Sequence, residues 1–310
     1  MTTMKPADGK NFAIIGVGGY IAPRHLDAIK ELGGNLVASF DKNDSVGVMD
    51  KYFPDCQFFT DFERFESFLQ SQKLANKPVD FISICTPNHM HLPHLQFALR
   101  LGADAICEKP LVLHAEDFDQ LIALERQTGK RVFTVLQLRV HGAILKLKEK
   151  ISSEKSSKKN EKYNIELVYM TSRGNWYHES WKGDPRKSGG LSTNIGVHFF
   201  DMLTWIFGPA KNIKMTEKTA TVEKGFVELE NANVNWMLTI DKSKLPTEAV
   251  QSGKTTFRSI KIDGTEFEFS EGFTELHKKV YTDVLQGRGY GLEHARAAIA
   301  IVEKIREMKI

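Results

Sequence analysis

The chain has 310 residues, 41% of them hydrophobic, and its 42 Lys and Arg nearly balance 39 Asp and Glu, for a net charge of +3. With no long block of one sign, neither nucleic acid nor an anionic membrane surface has a footprint to grip. No apolar run approaches the ~20 residues a spanning helix needs and no signal-peptide pattern is present, so a soluble cytoplasmic protein of two domains is expected.

Met1–Lys10 is polar and reads as a loose tail. From residue 11 to about 135, short apolar runs alternate with helical patterns. Asn11–Ile15 reads as a strand, and Leu26, Ile29 and Leu32 mark one face of the helix after it. Asn35–Phe40 and Cys56–Phe59 are the next strands, followed by Phe62, Phe65 and Leu69 at helical spacing. Val79–Cys85 is almost continuously apolar, as a strand covered on both faces should be. Leu92, Leu95 and Leu99 line a helix, and Ala103–Cys107 and Arg131–Val135 complete the series. Such alternation with short connections predicts parallel strands and right-handed crossovers, an N-terminal Rossmann dinucleotide-binding domain over residues 1–136. The three cysteines, Cys56, Cys85 and Cys107, lack metal spacing and read as reduced thiols, Cys85 and Cys107 buried.

After His141 the texture changes. A helix over Ala143–Ile151 leads into a solvated basic loop around Lys155–Lys159. Strands are expected at Asn164–Thr171, Thr216–Val222, Gly225–Leu229, Ala232–Ile240, Thr255–Ile262 and Thr265–Phe269. Period-two alternation at Thr219–Glu223 and Asn233–Thr239 points to a sheet with one wet face. A helix over Thr193–Phe207 interrupts the strands, and helices over Phe273–Leu285 and Leu292–Met308 close the chain. Residues 137–310 therefore read as a C-terminal α+β domain with a largely antiparallel open sheet.

The first strand runs into Gly16-Val-Gly-Gly-Tyr-Ile-Ala22 and then a helix, the context in which glycines let backbone N–H groups approach a pyrophosphate. Ile21 stands where the third small residue of G-x-G-x-x-G belongs, so Gly16, Gly19 and Ala22 are the better small set, in a turn one residue longer. Asp41 closes the second strand, 25 positions after Gly16, placed to accept ribose hydroxyls and to favour NAD over NADP. A helix-capping Asp is the alternative. Thr86-Pro-Asn-His-Met-His91 follows the buried fourth strand, where a loop would pass the nicotinamide ribose; Asn88 also suits a plain N-cap. Tyr20, Ile21, Thr86, Asn88, His91, Glu108, Lys109 and Gln137 join Gly16, Gly19 and Asp41 as expected cofactor contacts, with orienting Lys109 as the alternative role of Glu108.

Lys109 ends the fifth strand within Glu108-Lys-Pro110, at the ligand edge of an open α/β sheet. The segment Ser188–Asp201 holds Gly189-Gly190, then Asn194 and His198 four apart on one helical face, with Asp201 extending the polar stripe and Ile195, Phe199, Met202 and Ile206 opposite. Oxidising a secondary alcohol needs a hydride acceptor and a group to take the hydroxyl proton. An imidazole near pKa ~6.5 does this more readily than an amine near ~10.4. His198 and Lys109 are therefore assigned the catalysis jointly. Arg24, Arg139, Arg173 and Lys182 are candidate cations for a diphosphate and a carboxylate, with Trp176 and Trp181 as apolar walls for a sugar or nicotinamide face. Thr274–His277 suits either a substrate contact or a capped helix start.

At Gly16, Asp41, Glu108-Lys109-Pro110 and Gly196-Val-His198 the sequence resembles the Gfo/Idh/MocA family of NAD(P)-dependent sugar oxidoreductases. The resemblance implies a Rossmann domain joined to a substrate-binding and oligomerisation domain. It also implies NAD as cofactor, Lys109 and His198 facing the carbinol, and a cis bond before Pro110. Asn194 departs from the Asp often found in the family. Gly19–His25, Leu136–Arg139, Ser180–Gly183 and Thr193–Leu203 resemble the WlbA/WbpB group. That similarity implies a UDP-N-acetyl-2-amino-2-deoxyglucuronate 3-dehydrogenase of lipopolysaccharide O-antigen synthesis. It further implies a UDP-N-acetylglucosaminuronate substrate contacted by Asn194 and His198, reoxidation by 2-oxoglutarate, a homotetramer, and no metal. An inositol or other sugar dehydrogenase, and a non-catalytic ligand sensor, are the alternatives.

Overall fold

The computed structural model describes residues 5–154, 161–269 and 272–309. The basic run Lys155–Lys159 lies outside the described residues. The chain divides into two units.

The first unit comprises residues up to Val112, Glu116–Gln137 and Thr274–Ala295. Its six strands are β1 (Asn11–Ile15), β2 (Asn35–Phe40), β3 (Gln57–Phe59), β4 (Phe81–Ile84), β5 (Asp104–Cys107) and β6 (Val132–Thr134). They pair in parallel in the order β3-β2-β1-β4-β5-β6. This is the doubly wound Rossmann arrangement, and its order reverses between β1 and β4, opening a crevice at the strands' carboxyl ends. Helices α1 (Ala22–Glu31), α2 (Met49–Tyr52), α3 (Phe62–Leu74), α4 (His91–Leu101) and α5 (Asp117–Thr128) make the crossovers. The central strands are apolar on both sides because both faces are covered: Phe12, Ile14, Ile15, Ile82 and Ile84 have no exposed surface.

Placing one boundary after residue 136 misses a return of the chain. Helix α11 (Leu276–Leu285) belongs to the first unit and packs on α1. Leu276, Val280, Tyr281 and Val284 are buried there, and burying each such side chain is worth ~1.5–3 kcal/mol, which is reason enough for the helix to come back. The tail is corrected as well. Ala7 is fully buried, its N–H bonded to the Leu32 carbonyl at 3.0 Å, so residues 5–10 form a docked turn.

The second unit contains Leu113–Ala115, Leu138–Phe273 and the chain from Arg296. Its sheet holds β7 (Tyr163–Thr171), β8 (Ala210–Lys218), β9 (Val222–Leu229), β10 (Ala232–Thr239), β11 (Thr256–Ile262) and β12 (Thr265–Glu266), in the order β12-β11-β7-β10-β9-β8. Only β7 and β10 pair in parallel. Helices α6 (Gly142–Glu154), α7 (Trp176–Glu179), α8 (Pro185–Ser188), α9 (Val197–Phe207) and α10 (Thr247–Gln251) accompany it, and α12 (Leu292–Glu307) ends the chain. The expected strand over Thr216–Val222 is displaced: residues 219–221 turn between β8 and β9, held by the Thr219 hydroxyl, which accepts from Val222 N at 2.9 Å. Among the described residues no helix is long and apolar enough to cross a membrane.

Candidate active site

The β1–α1 turn is shaped by what its glycines omit. Gly16 has φ +88°, and a Cβ there would stand 2.9 Å from the backbone carbonyl of Cys85. Only glycine fits so close a crossing of the β1 and β4 ends. Gly19 closes the turn by donating to the Gly16 carbonyl at 3.0 Å, and its own Cβ would meet that oxygen at 3.1 Å. Ala22, the third small residue, is fully buried under the turn, and Pro23 fixes the first turn of α1. Tyr20 projects into solvent, 91% exposed, with Ile21 half-buried beside it.

Asp41 sits at the end of β2 and does not cap a helix. Its carboxylate accepts Gly18 N–H at 2.9 Å and Asn43 N–H at 3.0 Å, so β2 is tied to the glycine turn. Thr86, Asn88 and His91 follow β4. Asn88 begins a 3-10 turn (Asn88–Met90) whose N-cap is Pro87, and the N-cap of α4 is Met90, so Asn88 is no cap. His91 has no exposed surface; its Nδ1 meets the Pro110 carbonyl at 2.7 Å and its Nε2 the Thr86 carbonyl at 2.9 Å. Burial lowers its pKa even though both carbonyls favour the charged ring. Its place is behind the site, bracing the loop after β4 against the one after β5. Gln137, half-buried, opens a 3-10 turn beyond β6.

The loop after β5 carries Glu108 and Lys109, and the Lys109–Pro110 bond is cis. Lys109 is half-buried, whereas Glu108 is buried and surrounded by groups that no sequence motif announced. Glu108 Oε1 accepts from His25 Nε2 of α1 at 3.0 Å and from His277 Nε2 of α11 at 2.8 Å. Glu108 Oε2 accepts Lys109 N–H at 3.2 Å. His25 Nδ1 meets the Tyr281 hydroxyl at 2.7 Å, which meets Ser83 Oγ of β4 at 2.6 Å. Burial alone would push the Glu108 carboxyl up, but the hydrogen bonds and charge of the two imidazoles hold it well below the usual carboxylate range. Thr274–His277 is thus no substrate contact at its last residue, because His277 is committed to Glu108.

In the second unit, Gly189 and Gly190 have φ of +81° and +83°, two successive left-handed residues that turn the chain into its central helix. The entry is wider than an α-helix: Ser192–Gly196 form a π turn before α9. Such turns recur at functional sites, since the extra residue re-aims side chains. Gly196 allows close packing, as a Cβ there would stand 2.5 Å from Leu238 Cδ1 of β10. Glu223 of β9, buried, accepts from both Ser192 N–H and Ser192 Oγ, supplying a carboxylate to the helix start. Burial pushes its pKa up against those bonds.

Asn194 is buried and donates to the Tyr177 hydroxyl at 2.8 Å. His198, half-buried, lies in the first turn of α9. Ile195, Phe199, Met202 and Ile206 are buried, in line with the apolar face expected. Asp201, the third member of the polar stripe, is instead a structural acid. It holds Arg139 by two bonds, Nε–Oδ2 at 3.0 Å and Nη2–Oδ1 at 2.7 Å, and the guanidinium lies over the Trp205 ring. Arg139 was a candidate cation for the substrate; in the structure it is 4% exposed, with its guanidinium engaged by Asp201. The other second-unit candidates do assemble: Lys182 Nζ lies 4.4 Å from the Trp181 ring and 5.6 Å from that of Trp176. Burial and then the nearby Arg173 charge lower the Lys182 pKa. Lys182, Tyr177, Gly190, Ser192 and Glu223 help to line a cleft of about 220 Å³. Arg24, in the first unit, is exposed on α1.

Comparison with known proteins accounts for both units. The oxidoreductase family model for the NAD-binding Rossmann fold, Gfo/Idh/MocA, matches residues 10–136, and the same family's C-terminal α/β domain matches 161–242. The chain belongs to the Gfo/Idh/MocA oxidoreductase family. Among solved members, it is similar to the WlbA (WbpB) dehydrogenase of Thermus thermophilus in complex with NAD and alpha-ketoglutarate. The two are 50% identical, with 97% of this chain and 96% of that one covered and a TM-score of 0.93. A complex of the same dehydrogenase with NAD and UDP-GlcNAcA gives 49% identity, the same coverage and a TM-score of 0.92. The putative oxidoreductase YteT of Bacillus subtilis is 25% identical over 52% of this chain and 37% of its own length. The chain spans less than two thirds of the curated relatives it first matches.

The first unit of this Gfo/Idh/MocA protein fits NAD on its own geometry. The Gly16 turn leaves no Cβ in the way of a pyrophosphate, and the carboxylate of Asp41 stands beside that turn, where a 2′-phosphate would be repelled.

Proposed function

We propose that the protein oxidises the 3-hydroxyl of UDP-N-acetylglucosaminuronic acid to the 3-keto sugar, an NAD-dependent step in making lipopolysaccharide O-antigen sugars. The likeness that carries this reading is 50% identity along 97% of the chain to a WlbA (WbpB) dehydrogenase. The turn at Gly16–Ala22 and Asp41 would hold NAD, which would supply the hydride acceptor for the oxidation at C3. Lys109 donates a hydrogen bond to O3 and stabilises the developing oxyanion, and His198 accepts the O3 proton. The base needs a lone pair at neutral pH, which an imidazole near ~6.5 has and an ammonium near ~10.4 lacks.

Lys182 between Trp176 and Trp181 supplies a cation and apolar walls for the sugar nucleotide, and Asn194, an amide where the family often has an acid, orients the ring without titrating. Arg24 and Arg173 are assigned to the substrate's anionic groups. We further assign reoxidation of NADH to 2-oxoglutarate, a cytoplasmic location where nucleotide sugars are made, and a homotetrameric assembly. The test is turnover. Purified protein given UDP-N-acetylglucosaminuronate and 2-oxoglutarate should yield a sugar two hydrogens lighter and 2-hydroxyglutarate. Lys109→Ala and His198→Asn should each lower the rate ~10²-fold or more. Absence of both products from folded, NAD-loaded protein overturns the reading.

A further inference from the structure

The Glu108 network is built more elaborately than a buried carboxylate requires. Glu108 interrupts a loop next to the residue assigned to O3, and it is held from two sides by helices distant in sequence. One is α1, which begins at the cofactor turn; the other is α11, from near the end of the chain. All members are inside: His25 and Tyr281 have no exposed surface, His277 has 3% and Glu108 has 7%.

The bonding assigns the protons. Glu108 as an anion accepts only, so His25 and His277 each donate through Nε2. His25 is pulled toward its neutral form by burial, against the pull of Glu108. Its Nδ1 is then an acceptor, Tyr281 donates to it, and Ser83 Oγ–H donates to Tyr281. Among the described residues His277 Nδ1 has no hydrogen-bond partner, so Nε2 is the ring's anchor to Glu108. The two imidazoles orient one carboxylate oxygen from two directions. The second oxygen of that carboxylate takes the backbone N–H of Lys109.

We infer that His25 and His277 are positioning residues that act through Glu108 to fix Lys109 for the reaction. This rests on the role proposed above for Lys109, and it adds a function for the return of α11 to the first unit. One ring nitrogen of each histidine and a Glu108 oxygen lie within 4.8 Å of one another, but the 2.8 and 3.0 Å spacings are those of N–H···O bonds, and the geometry assigns hydrogen bonding there.

The experiment compares His277→Gln, whose amide nitrogen reaches as far as Nε2, with His277→Asn, whose amide falls short. In holoenzyme, His277→Asn should lower kcat about tenfold or more, the scale of one lost hydrogen bond to a charged group, with KM for the sugar nucleotide and the NADH dissociation constant changed less than about twofold. His277→Gln should recover kcat to within about threefold of wild type. Tyr281→Phe, which leaves His25 Nδ1 without its donor, should lower kcat in the same sense and more mildly. Proton NMR supplies a readout free of turnover: two downfield imidazole N–H signals in the wild type, one of them missing in both His277 variants. Equal losses in His277→Gln and His277→Asn, an unchanged kcat in folded His277→Asn, or stoichiometric bound zinc that His277→Asn releases would each overturn the inference. Wild type that shows both signals yet oxidises no nucleotide sugar would defeat the proposed function instead, leaving the imidazole–carboxylate network in place.

Discussion

Glu108 and His277 are 169 positions apart in the chain and 2.8 Å apart in the fold. The residue before the assigned catalytic lysine is therefore oriented by a helix that the chain makes almost last. On the proposed role of Lys109, activity depends on the packing of that helix, and variants far from Lys109 in sequence should register at the reaction.

Gly16→Ala should damage stability and cofactor binding together. An alanine at φ +88° costs ~1–2 kcal/mol in backbone strain alone, and its methyl would press on the Cys85 carbonyl at 2.9 Å. A lower thermal midpoint and a weaker NADH fluorescence titration are expected. An unchanged NADH affinity would show that the turn does not approach the pyrophosphate.

Asp41→Ser should weaken NAD binding about tenfold or more, the scale of hydrogen bonds to a charged group, and narrow the preference for NAD over NADP. Titrating both cofactors against wild type and variant measures it. Equal losses for the two cofactors would remove Asp41 from selectivity and leave it as the clasp on Gly18.

Asp201→Asn should cost ~3–5 kcal/mol in urea unfolding, because it removes the carboxylate charge paired with the buried Arg139 guanidinium. The double replacement Arg139→Met with Asp201→Leu should recover most of that loss. Burial pushes the Asp201 carboxyl up despite the guanidinium beside it, which fits a pair whose solvation cost is large. If Arg139→Met alone is harmless to stability but abolishes substrate binding, the arginine serves the ligand after all.

Stability should fall as pH drops below about 6.5, and His94 should carry part of the fall. Burial, then the neighbouring His91 and His89, bring its pKa down to about 4. Between pH 6.5 and about 4 the unfolded chain binds a proton at this imidazole that the folded one refuses, so stability rises with pH across that window. Burial lowers His25 and His91 in the same sense. His94→Gln should flatten the dependence of the urea midpoint on pH in that range; an identical slope in variant and wild type would refute the assignment.

Much of the first sheet was legible because its strands are short apolar runs between turn residues. Asn11–Ile15 and Asn35–Phe40 coincide with β1 and β2. The edge strand β8 was misplaced because Lys211, Asn212 and Lys214 along it face water and show no apolar alternation. The glycine turn and Asp41 could be read from spacing, since their chemistry is local. His25 and His277 could not, because a buried histidine declares itself only through a partner, and theirs is far away in sequence. Arg139 was misjudged for the same reason: nothing local says that an arginine will meet Asp201, 62 positions on. For Arg139 a signal was present, a lone charged side chain between Leu138 and Val140, but it does not name its mate; His25 and His277 stand beside Arg24 and Lys278 and offer none.

The return of residues 274–295 to the first unit also bears on how the protein is made. Emerging from the ribosome, the dinucleotide-binding half has its strands long before Tyr281 and His277 exist to cover Phe12 and meet Glu108. That half must wait, with its floor unfinished, while some 140 further residues are synthesised. A fragment ending at residue 137 would keep this vacancy permanently, so a chimera that exchanges nucleotide-binding halves between relatives should carry the late helix with it.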